Sequence, residues 1–209
     1  PVLPVAMVLE WFADAAQQVH PDLHLAGVDG LQVLKGVVLD TPRELTLRWV
    51  STPDGAGGAT VALTLHGADE RPHYRASATL QPHAPAAQRF PGSNGLGASP
   101  LAGAPYDRWL FHGPRFQGIR RVNGWSDHGI VGQLATSAPE RLGLGGRWAT
   151  DPVTIDSALQ LMLLWVGERH ATRALPCAIQ RYRQLKPFAG DVACHLEMER
   201  AGPRHGRFR

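Results

Sequence analysis

The chain is poor in the features that mark several classes of protein. It has only two cysteines among 209 residues, Cys177 and Cys194. Two cysteines are too few, and these two are too far apart in sequence, for a disulfide framework or a zinc site. No run of about 18 apolar residues is present, so no membrane span is expected, and the first residues lack the basic start of a signal peptide. These absences favour a globular protein in a reducing, cytoplasmic setting.

An excess of charge of one sign is also missing. The chain has 21 Lys and Arg against 18 Asp and Glu, a formal net charge of +3, and much of the excess lies in the tail Arg200–Arg209. There is no aromatic interleaving and no nucleic-acid-binding motif. We therefore expect neither nucleic acid nor a membrane as a partner. The mildly basic surface could serve an acidic protein partner as well as it could serve nucleic acid.

Hydrophobic spacing predicts two similar halves. The first half begins with a helix over residues 4–18, on which Glu10 lies off the apolar stripe and is expected in solvent. Four strands are then predicted, over residues 31–39, 44–50, 61–65 and 74–80. The second half has a helix over residues 151–169, and strand-like segments over residues 119–125, 129–135, 175–185 and 191–199. The pattern predicts an α+β protein.

The two halves define the predicted domains. They are an N-terminal half over residues 1–81, a Pro/Gly-rich linker over residues 82–105 and a C-terminal half over residues 106–209. The first half starts directly at its helix, and the second stops at Phe208, where a third strand would begin. We therefore expect a fragment that lacks the first strands of one half and the last strands of the other.

The second helix carries the candidate site. Asp156 and Gln160 are four residues apart, so their side chains meet on one face of the helix. They lie beside a predicted apolar stripe formed by Ile155, Leu159, Met162, Leu163 and Val166. A buried carboxyl group steadied by an amide is an acid/base candidate, but an acid in the first helical turn is also favoured by the macrodipole. On spacing alone, the second interpretation is favoured.

Three segments resemble the dehydratase domains of polyketide synthases and of polyunsaturated fatty acid synthases. Val2–Glu10 is similar to the end of the family's HxxxGxxxxP motif, and His112–Gln117 is similar to its YGPxFQ segment. Asp156 and Gln160 match its DxxxQ motif, which Leu175-Pro176 follows as in the family. The resemblance covers nearly the whole chain and reverses the preference on Asp156. It implies a double hot-dog fold, in which two antiparallel sheets each wrap around a long central helix.

The resemblance also implies an activity. It is the removal of water from a 3-hydroxyacyl thioester carried on the phosphopantetheine arm of an acyl carrier protein. Asp156 would donate a proton to the departing hydroxyl and Gln160 would orient it. Burial is expected to raise the pKa of Asp156 against the opposing helix dipole. Neighbouring synthase domains are implied as partners, with a homodimer as an option, and neither a metal nor a cofactor is expected.

Further residues are carried over from the motifs. The family's base is a His nine residues before the Pro of HxxxGxxxxP, outside this sequence. The Tyr of YGPxFQ is His112 here, a catalytic candidate placed near the pocket. Pro4 and Val5, at the start of the first helix, are expected near the thioester carbonyl. Gly113, Pro114 and Phe116 complete the substrate-binding candidates.

Two alternatives stay open at this point. One is a non-catalytic double hot-dog domain that serves as structure, dimer contact or carrier-protein docking surface. The other is a related hot-dog enzyme, a product-template-like cyclase or a hydratase, which would share the His and Asp and differ in pocket depth. A nucleic-acid-binding module is a more distant alternative.

Overall fold

The computed structural model describes residues 2–86, 96–99, 101, 104–137, 148–201 and 205–209. Residues 87–95, 100 and 102–103 of the predicted linker lie outside this part of the chain. The chain divides into two compact units. The first contains residues 1–88, 147–152 and 176–187, and the second contains residues 89–146, 153–175 and 188–209. Neither unit is a continuous stretch of sequence.

Two helices and nine strands are assigned in the described residues, with a 3₁₀ turn between β4 and β5 at Pro114–Phe116. In chain order they are α1 (Val5–Val19), β1 (His24–Val33), β2 (Thr46–Pro53), β3 (Ala59–His66), β4 (Pro72–Gln81), β5 (Ile119–Ser126), β6 (Gly129–Leu134), α2 (Pro152–His170), β7 (Ala178–Arg183), β8 (Val192–Ala201) and β9 (Gly206–Phe208). Within the described residues no helix is long and apolar enough to cross a membrane.

The first unit is a five-stranded antiparallel sheet with α1 packed against it. Its strand order is β2-β3-β4-β1-β7, and α1 contacts β1 and β4. Alternate residues of β3 and β4 are buried, as expected for a sheet with one face in the core. On α1, Val8, Leu9 and Phe12 are fully buried, so the predicted helix and its apolar face are confirmed.

The prediction for β1 was wrong. The strand runs over His24–Val33 and not over residues 31–39. Asp29-Gly30 has the composition of a turn, but here Gly30 takes φ +61° inside an irregular stretch of the β1–β4 pairing. Only glycine adopts that backbone conformation without strain. Two of the apolar residues that suggested a later strand are exposed, since Leu34 keeps 47% and Val38 keeps 52% of its surface, whereas Val37 between them is buried.

The strand β7 lies in the first unit, although its sequence position falls in the predicted second half. It pairs antiparallel with β1, with Val28 opposite Tyr182 and Leu31 opposite Ile179. Period-two alternation identifies a strand, but it does not identify the strand with which it pairs. The partner was therefore not predictable from this segment alone.

Glu10 contradicts the expectation that it lies in solvent, because only 3% of it is exposed. Its carboxylate accepts hydrogen bonds from the backbone N–H groups of Ala149, at 2.7 Å, and Thr150, at 2.6 Å, and from the Thr150 hydroxyl. Three donors offset the cost of removing a carboxylate from water. Glu10 therefore holds the segment that leads into α2.

The second unit is a four-stranded antiparallel sheet in the order β5-β6-β8-β9, with α2 packed against it. Ile130 and Leu134 from β6 meet Leu161 and Leu164 from α2 in its core. The predicted stripe on α2 is only partly right, because Leu159, Met162 and Val166 are half-buried. The helix is instead buried on nearly all sides from Val153 to Trp165, as expected when a helix lies at the centre of a core.

The chain also contains the third strand whose start was expected at Phe208. It is the short β9, which pairs with β8 through Met198 and Phe208. With two antiparallel sheets, each accompanied by a helix, the predicted α+β class is confirmed.

Candidate active site

Asp156 lies one turn into α2 and is almost completely buried, with 4% exposure. Gln160, fully buried one turn later, donates from Nε2 to Asp156 Oδ2 at 2.6 Å and to the Phe116 carbonyl at 2.8 Å. The predicted contact between the two side chains is therefore present. The alternative interpretation of Asp156, as a solvated acid in the first helical turn, does not fit, because the first turn of α2 contains no acidic residue.

Tyr106 fixes the other end of the Gln160 side chain. Its hydroxyl donates to Gln160 Oε1 at 2.7 Å and accepts a hydrogen bond from the Ile119 backbone N–H at 2.9 Å. Because Oε1 already accepts from Tyr106, the amide must turn its NH₂ group towards Asp156. Sequence reasoning missed Tyr106, which belongs to none of the three motifs and stands beside a segment without a clear period.

His112 lies against the same carboxyl group. Its Nε2 is 3.6 Å from Asp156 Oδ2, and its side chain is 12% exposed. The ring stacks on Phe111 with 4.5 Å between centroids and 19° between planes. Gln117 Nε2 donates to the His112 carbonyl at 2.9 Å. The structure thus brings together Asp156, Gln160 and His112, the three residues predicted as catalytic.

The shared burial shifts both ionisable groups towards their neutral forms. Burial raises the pKa of Asp156 to about 6, although the hydrogen bond from Gln160 acts in the opposite direction. Burial lowers the pKa of His112 to about 4. No pH exists at which both groups are mainly charged, so their contact at pH 7 joins a carboxylate to a neutral imidazole rather than forming an ion pair.

A close approach of backbone to helix supports this arrangement. A Cβ atom on Gly118 would overlap with Ser157 Oγ and lie only 3.0 Å from Val153 Cγ1. Only glycine fits there, and it lets the chain pass directly over α2 just before β5 begins. Gly118 follows the predicted motif, but the requirement for glycine appears only when Ser157 is placed opposite it.

The predicted substrate-binding residues fall into two groups. Gly113 and Pro114 are exposed at the start of the 3₁₀ turn Pro114–Phe116, and Phe116 contributes its carbonyl to Gln160. Pro4 and Val5 belong to the first unit, where Pro4 precedes α1 and that helix has no side-chain cap. Their contact with substrate stays a prediction.

Comparison with known proteins identifies the family. Residues 81–208 match the family model described as "Polyketide synthase dehydratase N-terminal domain". The chain belongs to this family. It is 32% identical over 208 residues to one subunit of the polyunsaturated fatty acid synthase of Thraustochytrium sp. (strain ATCC 26185 / S-3). That match covers 94% of this chain and 7% of the relative's length.

Solved structures share the fold at low sequence identity. The dehydratase domain of RzxB from Pseudomonas fluorescens superposes with a TM-score of 0.74 at 16% identity, covering 99% of this chain and 78% of that one. A protein described as a trans-acyltransferase polyketide synthase enoyl-isomerase gives a TM-score of 0.64 at 14% identity, covering 99% and 81%. The predicted family and fold are confirmed. A fold shared by proteins described as a dehydratase and as an isomerase does not select the reaction.

Proposed function

We propose that this chain removes water from a 3-hydroxyacyl thioester on an acyl carrier protein, giving the 2-enoyl thioester, within a polyketide or polyunsaturated fatty acid synthase. The observation that carries the proposal is the carboxyl group of Asp156, buried on α2 and oriented by Gln160. Family membership supports a lyase-type dehydration, and the Asp156 geometry supplies a proton donor for it.

The proposed reaction needs a base and an acid. A base takes a proton from the α-carbon, which the thioester acidifies, and the electron pair forms the new double bond as the bond between the β-carbon and its hydroxyl oxygen breaks. Asp156 gives its proton to that oxygen, so water leaves and Asp156 becomes a carboxylate. From the family resemblance, the base is expected to be the His upstream of this sequence.

Burial makes Asp156 suited to this work. With a pKa of about 6, compared with the ordinary value of 3.8, about a tenth of the molecules carry the proton at pH 7, against fewer than about one in a thousand for an unperturbed group. A positioned acid contributes roughly 10²–10⁴-fold to the rate. The fixed Gln160 amide lets Asp156 keep one orientation while its proton is transferred.

The remaining assignments extend the proposal to binding. The uncapped start of α1 would offer backbone N–H groups, beginning with that of Val5 directly after Pro4, to the thioester carbonyl. Gly113, Pro114 and Phe116 would line the path of the acyl chain. The partners would be an acyl carrier protein and neighbouring synthase domains, with a homodimer as an option. Two free cysteines fit a reducing cytoplasm.

Mass spectrometry of a carrier-protein-bound 3-hydroxyacyl substrate tests the proposal. The protein should extend beyond both ends of this sequence, so that it includes the expected upstream base. We expect the mass of one water to be lost with the wild type and retained with Asp156→Asn. Asp191→Asn is the matched control, because Asp191 is exposed and lies 3.6 Å from Arg120.

Two other outcomes would overturn the dehydration proposal, and a third would overturn the role of Asp156. No mass change with any chain length, from a folded protein, would support the non-catalytic alternative. No water loss from the 3-hydroxyacyl substrate, together with a moved double bond in an enoyl substrate supplied separately and followed by NMR, would indicate an isomerase. Full activity of Asp156→Asn would remove Asp156 from the mechanism.

A further inference from the structure

The two oxygens of the Asp156 carboxyl group have different surroundings. Oδ2 faces Gln160 Nε2 at 2.6 Å and His112 Nε2 at 3.6 Å. Oδ1 accepts no hydrogen bond from any residue in the described part of the chain. The carboxyl group is therefore held through one oxygen and left open at the other.

The surroundings of His112 indicate which ring nitrogen carries its proton. A neutral imidazole has one N–H group. Nδ1 is buried and has no hydrogen-bond partner among the described residues, so a proton placed there would have no acceptor, which is costly in a buried site. A proton on Nε2 points instead at Asp156 Oδ2. The stacked Phe111 ring and the Gln117 bond to the His112 carbonyl hold the imidazole in that direction.

We propose that His112 is a positioning residue, which with Gln160 holds Asp156 Oδ2 through N–H groups and so leaves Oδ1 as the oxygen that carries the transferable proton. The assignment of a transferred proton rests on the proposed dehydration, but the hold on Oδ2 does not. The 3.6 Å separation is slightly longer than a hydrogen bond, and catalytic contacts are commonly long before substrate binds.

Among the described residues, no basic group other than His112 lies within ion-pair distance of Asp156. Asp151 is buried just before α2, and Tyr106 reaches the site through Gln160. The other ionisable residues on the neighbouring elements are Asp107, Arg108 and Arg115 on the segment before β5, Arg120 and Arg121 on β5, Cys194, His195, Glu197, Glu199 and Arg200 on β8, and Glu168, Arg169 and His170 at the far end of α2. The residues of β6 include no ionisable side chain. Nε2 of His112 is therefore the ionisable partner that faces Oδ2.

Titration of Asp156 itself tests the proposal. The carboxyl carbons of aspartate are labelled with ¹³C, the Asp156 resonance is assigned from its loss in Asp156→Asn, and its pKa is measured by NMR in three His112 variants. His112→Phe removes the donor, so the carboxylate loses stabilisation and the pKa of Asp156 should rise by about one unit. His112→Gln and His112→Tyr each keep a polar N–H or O–H donor and should show less than half of that rise.

The Phe and Tyr variants differ by one hydroxyl group and form the decisive pair. An unchanged or lowered pKa in His112→Phe would overturn the proposal. Equal rises in all three variants would also overturn it, because the effect would then come from packing and not from a donated hydrogen bond. Circular dichroism checks that each variant is folded.

The titration requires no turnover, which separates the two proposals. A shifted pKa in a protein that removes no water would sustain the role of His112 and refute the dehydration. Dehydration that depends on Asp156, without the shift, would sustain the reaction and refute the role of His112.

Discussion

Asp156 and His112 should make opposing contributions to the pH dependence of stability. Burial raises the pKa of Asp156 from 3.8 to about 6. A raised pKa means that the folded state binds the proton more tightly, so this contribution is present below pH 4 and is lost as pH rises towards 6. A rise of roughly two pKa units corresponds to about 3 kcal/mol.

His112 acts with the opposite sign over nearly the same range. Its pKa falls from 6.5 to about 4, so the folded state resists protonation and stability is lost as pH falls from 6.5 to 4. The size is again about 3 kcal/mol. The two contributions nearly cancel in the wild type, and removal of either group should expose the other.

Urea unfolding between pH 4 and pH 7.5 measures this effect. Relative to the wild type, Asp156→Asn should gain about 3 kcal/mol of stability as pH rises from 4 to 6. For His112→Gln, the gain in the free energy of unfolding relative to the wild type should instead appear at pH 4 and disappear by pH 6.5. Differences between proteins remove the contributions of the other ionisable groups. Two differences that are flat with pH, or that slope in the same direction, would refute the burial argument.

Three other substitutions test the supports of the site and of the fold by urea unfolding. Tyr106→Phe leaves two buried partners unpaired and should lower the free energy of unfolding by about 1–3 kcal/mol for each. The control Tyr182→Phe, which loses a single hydrogen bond, should lower it by less. Equal losses in the two variants would contradict the role of Tyr106 as a bridge between Gln160 and Ile119. Gly118→Ala should destabilise the fold by about 1–3 kcal/mol, and adding Ser157→Ala in the same chain should restore part of this loss. No recovery in the double variant would show that the close approach to Ser157 is not the cause. Glu10→Gln should cost about 2 kcal/mol, because an amide cannot accept all three hydrogen bonds; an unchanged midpoint would place that side chain in solvent after all.

The family was predictable because three motifs resemble it, and the Asp156–Gln160 contact was predictable because it depends on local spacing. Residues four apart on a helix meet whatever the rest of the chain does. The raised pKa followed from the expected burial of that helix. The strands β2, β3, β4 and β8 were found within a few residues of their predicted positions, because each shows alternation over its own length. The strands β5 and β6 also lie close to their predicted positions.

What escaped prediction depends on contacts between distant parts of the chain. Glu10 was predicted in solvent because helical periodicity gives the direction of a side chain but not the hydrogen-bond donors that face it. Those donors come from Ala149 and Thr150. Tyr106 acts through Gln160, 54 residues away in sequence. The start of β1 was missed because Gly30 interrupts its alternation. None of these features leaves a local pattern.

The late position of β7 has a consequence for synthesis of the chain. During translation the N-terminal strands emerge first, yet the neighbour of β1 on one side is residues 178–183. Until these residues leave the ribosome, that side of β1 keeps a row of unpaired N–H and C=O groups, which can pair with other strands. The first unit is thus completed only after most of the second has been made, and a protein cut within the Pro/Gly-rich segment would release a sheet with an open, aggregation-prone edge.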